Sequence, residues 1–370
     1  MKKLAPAPLA DRCDNIGRLI EVFGQIGNMG HADILAWARK ASEYGRLSAM
    51  PSSCNPDKQS ARFADQATIG DSVYLISPAG AIDEQAPFDL ALHQLSTQGW
   101  TACPDPGVRA RWQRFAGTDA QRQRAVERAA KQEARMVMMT RGGHGWMRLL
   151  PKLCFKTLAD AGKFWVGYSD TTAFHLAMLG RTASVTWAGP MLLDDFGRSE
   201  VDETTSGCLR EAYTGELEAL GFRYKACGAN SKAIDETGVL WGGNLSMLCA
   251  MIGSPWFEKA PEGGILFLED IGEHPYRIER MLLRLLYEGI IDAQKAVLLG
   301  SFNGYSLGNH DRGYDLKKVL RWIASQTSVP MLEGLPFGHQ QGKVCLPHGM
   351  RVGLATEGRQ AYLLFDQTKR

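Results

Sequence analysis

The chain has 370 residues, 45% hydrophobic and 22% charged, with a formal net charge of +2. This is ordinary globular composition with room for two domains and a large core, which excludes a disordered chain and a disulfide-stapled miniprotein. There is no basic stripe for nucleic acid and no apolar run near the ~20 residues of a membrane span.

Residues 1–70 are set apart as an extension of unknown role. Helical spacing runs from Leu19 to Tyr44, weakened by Gly24, Gly27 and Gly30, and Met50-Pro51-Ser52-Ser53 is loop chemistry. Met1-Lys2-Lys3 leads into Asp11 and Arg12 with no apolar stretch between, so no secretory signal is expected.

Alternating patterning starts at residue 71. Short apolar strands are expected at 72–76, 100–103, 135–140 and 164–168, with helices over 88–95, 120–132 and 172–179 between and after them. Strands alternating with helices imply βαβ units on a parallel sheet. This first domain is placed at 71–200, followed by a polar linker at 201–236. A second domain, 237–370, carries strand candidates at 237–244, 264–268, 295–300, 330–338 and 350–354. Its clearest helix has Ile278, Met281, Leu282, Leu285 and Leu286 on one face.

Gly167-Tyr168-Ser169-Asp170 joins an apolar strand to a helix start. A serine there projects its hydroxyl from the carboxyl edge of the sheet, as at a nucleophile elbow, with free helix N–H groups behind it. Ser169 or Asp170 could instead serve only as a helix cap. Arg141-Gly142-Gly143-His144-Gly145 follows the neighbouring strand, and its glycines permit close backbone approach to a ligand or simply a turn. A serine nucleophile needs a base and an orienting acid. Glu269-Asp270 ends an apolar strand, and His339 follows Phe337-Gly338; either could equally be structural. No zinc motif or ligand spacing occurs, so neither a metal nor an organic cofactor is expected. The eight cysteines, none spaced C-x-x-C, suit reduced thiols.

Taken in order, these segments resemble the LD-carboxypeptidases, serine peptidases that cleave muropeptides. The resemblance runs through Ser77-Pro78-Ala79-Gly80, Arg141-Gly142-Gly143-His144-Gly145, Gly167-Tyr168-Ser169-Asp170-Thr171-Thr172, Trp241-Gly242-Gly243-Asn244, Leu268-Glu269-Asp270 and Phe337-Gly338-His339. It implies a flavodoxin- or glutamine-amidotransferase-like parallel-sheet domain plus a smaller, mixed β-rich domain, with the site in the cleft between. It implies a triad of Ser169, Glu269 and His339, and an oxyanion hole from the N–H groups of Gly143 and Asp170. Arg141 and Arg277 become candidates for the substrate carboxylate; Trp241 and Asn244 are further substrate contacts. The implied reaction removes terminal D-Ala from the murein tetrapeptide L-Ala-D-Glu-meso-DAP-D-Ala during peptidoglycan recycling. That would be the work of a cytoplasmic homodimer, a periplasmic enzyme being the minority alternative. Microcin-immunity relatives, which cleave peptidyl or aminoacyl nucleotides, and a silent muropeptide-binding protein are the competing readings.

Overall fold

The computed structural model describes residues 72–228 and 233–365. The extension expected over 1–70 lies outside the described residues.

The first layer opens with β1 (Ser72–Ile76), buried along its last four residues. A continuous apolar run is what a parallel strand covered on both faces requires. α1 (Phe88–Thr97) buries Phe88, Ala91 and Leu95 on one side. After β2 (Thr101–Pro104), α2 (Asp119–Lys131) starts with a capping box, in which Thr118 Oγ1 accepts from Gln121 N and Gln121 Oε1 from Thr118 N. Then come β3 (Met136–Met139), the single turn α3 (Trp146–Leu149), α4 (Phe155–Asp160), β4 (Phe164–Gly167), α5 (Thr172–Thr182) and β5 (Thr186–Ala188). These five strands are parallel, in the order β2-β1-β3-β4-β5.

A π-helical turn, Leu192–Phe196, precedes α6 (Glu203–Thr214), β6 (Ala219–Arg223) and β7 (Lys225–Ala226). The segment expected to be a linker, 201–236, is therefore largely built into the fold. α6 is capped by Asp202 and buries Cys208, Leu209, Ala212 and Tyr213. Its polar average conceals a stripe at i, i+1, i+4 and i+5.

β8 (Asp235–Asn244), α7 (Leu245–Met251), β9 (Ile265–Ile271), α8 (Pro275–Tyr287), β10 (Ala296–Asn303), α9 (Leu316–Ser325), β11 (Met331–Glu333), β12 (Leu346–His348), β13 (Arg351–Glu357) and β14 (Gln360–Leu364) complete the chain. The second sheet has the order β6-β14-β13-β8-β9-β10-β11-β7. Its centre, β8 to β11, is parallel, and both flanks are antiparallel.

β12 does not join it. It pairs antiparallel with β5, Pro347 opposite Trp187, and becomes the sixth strand of the first sheet. These three residues of the segment 237–370 thus lie in the first sheet. Elsewhere α5 packs on α7 and β8, and Asn244 N donates to Thr172 Oγ1 at 3.0 Å. The two sheets share one apolar core, in which Phe267 of β9 meets Phe337 and His348 edge-on.

Candidate active site

The carboxyl ends of parallel strands are where open α/β sheets place ligands, and β4 ends there at Gly167. Tyr168 is extended, and Ser169 then turns left-handed at φ 61° before a 3-10 turn, Ser169–Thr171, leads into α5. Left-handed backbone at a residue with a Cβ costs of order 1–3 kcal/mol and persists only where its surroundings enforce it. The turn raises the serine above the sheet against the loop after β3. A Cβ at Gly142 would lie 2.9 Å from both Cβ and Oγ of Ser169, so only glycine fits there.

His339 Nε2 lies 3.1 Å from Ser169 Oγ, and its Nδ1 lies 2.7 Å from Glu269 Oε2. A carboxylate only accepts, so Nδ1 carries the proton in this pair and Nε2 keeps a lone pair for the serine hydroxyl. Burial favours the neutral ring, but the Glu269 hydrogen bond and charge outweigh it and hold the His339 pKa above the usual value.

Each member has its own support. Glu269 is fully buried near the end of β9, and Asn244 Nδ2 donates to its Oε1 at 3.2 Å. The same amide donates to Asp270 Oδ1 at 3.0 Å. Asp270 turns away from His339 to accept from Ser246 N and Oγ at 2.9 and 2.6 Å. Burial pushes its pKa up, against those bonds. The His339 loop hangs from β10, which breaks register between Leu299 and Phe302. Ser301 N donates to Phe337 O at 2.9 Å, and Asn303 Nδ2 donates to His339 O at 2.7 Å. Gly338 stands at φ 114°, where a Cβ would meet Glu269 Cβ at 2.8 Å.

Asp170 turns its side chain inward. Its Oδ2 accepts from Trp146 N at 3.0 Å, which ties the start of α5 to the start of α3 and braces the glycine loop between. Burial raises its pKa to about 6, against the Trp146 bond and the charges of His144 and Arg122. Among the described residues no backbone hydrogen bond starts from the N–H of Gly143 or of Asp170.

The other candidates lie as follows. Arg141 Nη1 donates to Ala81 O at 2.9 Å and pairs with Asp83 at 3.3 Å, its side chain one-third exposed. Arg277, in the first turn of α8, pairs with Glu273, four residues earlier and just ahead of the helix. Two residues expected as substrate contacts are turned inward. Trp241 is fully buried, its indole N–H on Gln294 Oε1 at 2.9 Å, so its ring is core. Asn244 is 5% exposed, its Nδ2 on the two acids and its Oδ1 accepting from Met247 N. Its amide thereby holds Glu269 and Asp270 side by side. Sequence reading missed Asn303; its only signal was a polar residue ending an apolar strand.

The description "LD-carboxypeptidase N-terminal domain" matches residues 73–189, and "LD-carboxypeptidase C-terminal domain" matches 237–354. A probable murein peptide carboxypeptidase of Bacillus subtilis is 30% identical over 302 residues, covering 80% of this chain and 92% of the relative. The crystal structure of muramoyltetrapeptide carboxypeptidase from Oxalobacter formigenes is 38% identical, with a TM-score of 0.73, covering 80% of this chain and 99% of that one. The microcin C7 self-immunity protein of Escherichia coli is 28% identical over 59% of this chain and 70% of the relative.

Proposed function

We propose a reaction for this chain from one premise: it belongs to the LD-carboxypeptidase family. It is a serine-type carboxypeptidase acting on murein peptides. The observation that carries the mechanism is the hydrogen-bonded line from Ser169 through His339 to Glu269.

His339 Nε2 takes the proton as Ser169 Oγ attacks the scissile carbonyl. Glu269 holds the ring in that tautomer and stabilises the imidazolium. The developing oxyanion sits between the N–H groups of Gly143 and Asp170, and one such donor is typically worth ~3–4 kcal/mol. His339 then protonates the leaving amine, and water releases the acyl group. The scissile bond is that between the L-centre of meso-diaminopimelate and terminal D-Ala. Arg141, its guanidinium partly exposed beside the glycine loop, is the carboxylate partner we favour; Arg277 is the other candidate.

Among the described residues no helix is long and apolar enough to cross a membrane, and six cysteines are unpaired. Free thiols support the reducing cytoplasm, where imported murein peptides are recycled. A homodimer is the assembly we expect, and light scattering tests it.

The deciding experiment is mass spectrometry of L-Ala-D-Glu-meso-DAP-D-Ala incubated with the protein and with Ser169→Ala. Loss of one alanine with the unaltered protein alone is the expected result. An intact tetrapeptide with folded protein overturns the substrate, and the aminoacyl nucleotides of the microcin relatives come next. Alanine released by both overturns Ser169.

A further inference from the structure

Lys343 lies four residues beyond His339, and its side chain is fully buried. A buried ammonium is costly unless it is paired. Its Nζ bonds Asp195 Oδ1 and lies 4.6 Å from the centre of the Tyr168 ring. Asp195, 5% exposed, belongs to the π-helical turn, and its other oxygen accepts from Met191 N at 2.8 Å. The backbone of Lys343 is held as well, its N–H on Thr205 Oγ1 at 3.0 Å. Tyr168 immediately precedes Ser169, and its ring meets His339 edge-on with centroids 4.9 Å apart.

We propose that Lys343 and Asp195 are positioning residues for His339, clamping the loop of the base onto the layer that carries the nucleophile and pressing the Tyr168 ring against the imidazole. The proposal rests on the serine-hydrolase reading of the site. A matched apolar pair usually packs as well as a buried ion pair or better, so stability alone gives this pair no reason to exist. What a charge pair adds is direction. The salt bridge fixes where the base loop meets the π-helical turn, and the cation is drawn to the face of Tyr168. Tyr168 and Lys343 come from opposite sides of the Ser169–His339 hydrogen bond in sequence, so the contact sets the distance between them. Misplacing a catalytic group by about 1 Å can cost a hundredfold in rate.

The test compares Lys343→Met/Asp195→Leu with the unaltered protein, using a fluorophosphonate. In that reaction Ser169 Oγ bonds to phosphorus, fluoride leaves, and His339 takes the serine proton. Only the nucleophile and its base are needed, whatever the natural substrate. The double variant should fold by circular dichroism and melt no lower than the parent. Its inactivation rate constant should fall tenfold or more, with the probe's dissociation constant unchanged within twofold. A folded double variant that reacts at the parent rate overturns the clamp. If the double variant does not fold, Tyr168→Leu decides: a tenfold slower reaction supports the proposal, and the parent rate overturns it. A parent protein that labels at Ser169 but releases no alanine loses the murein substrate and keeps the clamp. One that never labels loses both.

Discussion

His339 titrates above the usual imidazole value because the Glu269 charge and hydrogen bond outweigh burial. As the proposed general base His339 must be neutral, so the acid limb of kcat/KM should lie above pH ~6.5 and flatten once the ring has lost its proton. Glu269→Gln removes the anion, and the acid limb should then move to lower pH. An amide also weakens the hold on the tautomer, so the plateau should drop by roughly a hundredfold or more. A pH–rate series on both proteins checks both effects; an unmoved limb denies Glu269 its role. At Gly338 the constraint is steric. With φ at 114°, Gly338→Ala sets a Cβ 2.5 Å from Ser301 Oγ and 2.8 Å from Glu269 Cβ. Thermal midpoint and turnover should fall together, with a stability loss of about 1–3 kcal/mol or more.

At the scale of elements, short segments aim the site. The break in β10 sends Ser301 N and Asn303 Nδ2 to the loop carrying His339. Asn303→Ala removes one anchor, and a hydrogen bond of ~1 kcal/mol predicts a fall in kcat of about five- to tenfold with KM nearly unchanged. Steady-state kinetics measures that split. α5 presents a different balance. Asp170 at its start keeps a carboxyl buried, with a pKa of about 6 against an unfolded value near 4. The folded state therefore binds the proton more tightly, and the stability this group contributes is lost as pH rises through 6. Asp170→Asn should unfold at a higher temperature than the parent above pH 6, converge with it near pH 4, and lose activity as the brace on Trp146 weakens. Calorimetry at several pH values tests the crossover. The elements themselves were largely legible in sequence, because β1, β3 and β4 are short, mostly apolar runs, β9 opens with four apolar residues, Ile265 to Leu268, and α8 shows a clean stripe. α6 was not, since its apolar residues are diluted by Thr, Ser and Glu.

Across the whole molecule, sequence order and spatial order part company. Ser169 and His339, 170 positions apart, share a hydrogen bond, and only the ordered resemblance to a family linked them; no local periodicity could. The same limit explains Trp241 and Asn244. A motif marks both as near the site, but which way each side chain turns depends on Gln294 and on the two acids, which the motif does not contain. β12 was illegible for a related reason. Three residues with a central proline read as a turn, and their partner β5 lies 160 positions earlier. Truncation before residue 346 should strip β12 from the first sheet and β13 and β14 from the second, leaving β5 and β8 open to intermolecular pairing. We expect the truncated chain to aggregate, measured by its partition between pellet and supernatant, while the full chain stays in solution.

That late strand also bears on timing. On the ribosome, a chain made up to residue 330 already has Ser169, the proposed nucleophile, but neither His339, the proposed base, nor the strand that closes the sheet of Ser169. On the proposed mechanism, hydrolytic power arrives only after residue 339 has been made and folded into place. Until then a peptidase born among other nascent chains is chemically mute, its silence set by the order in which its site residues are made.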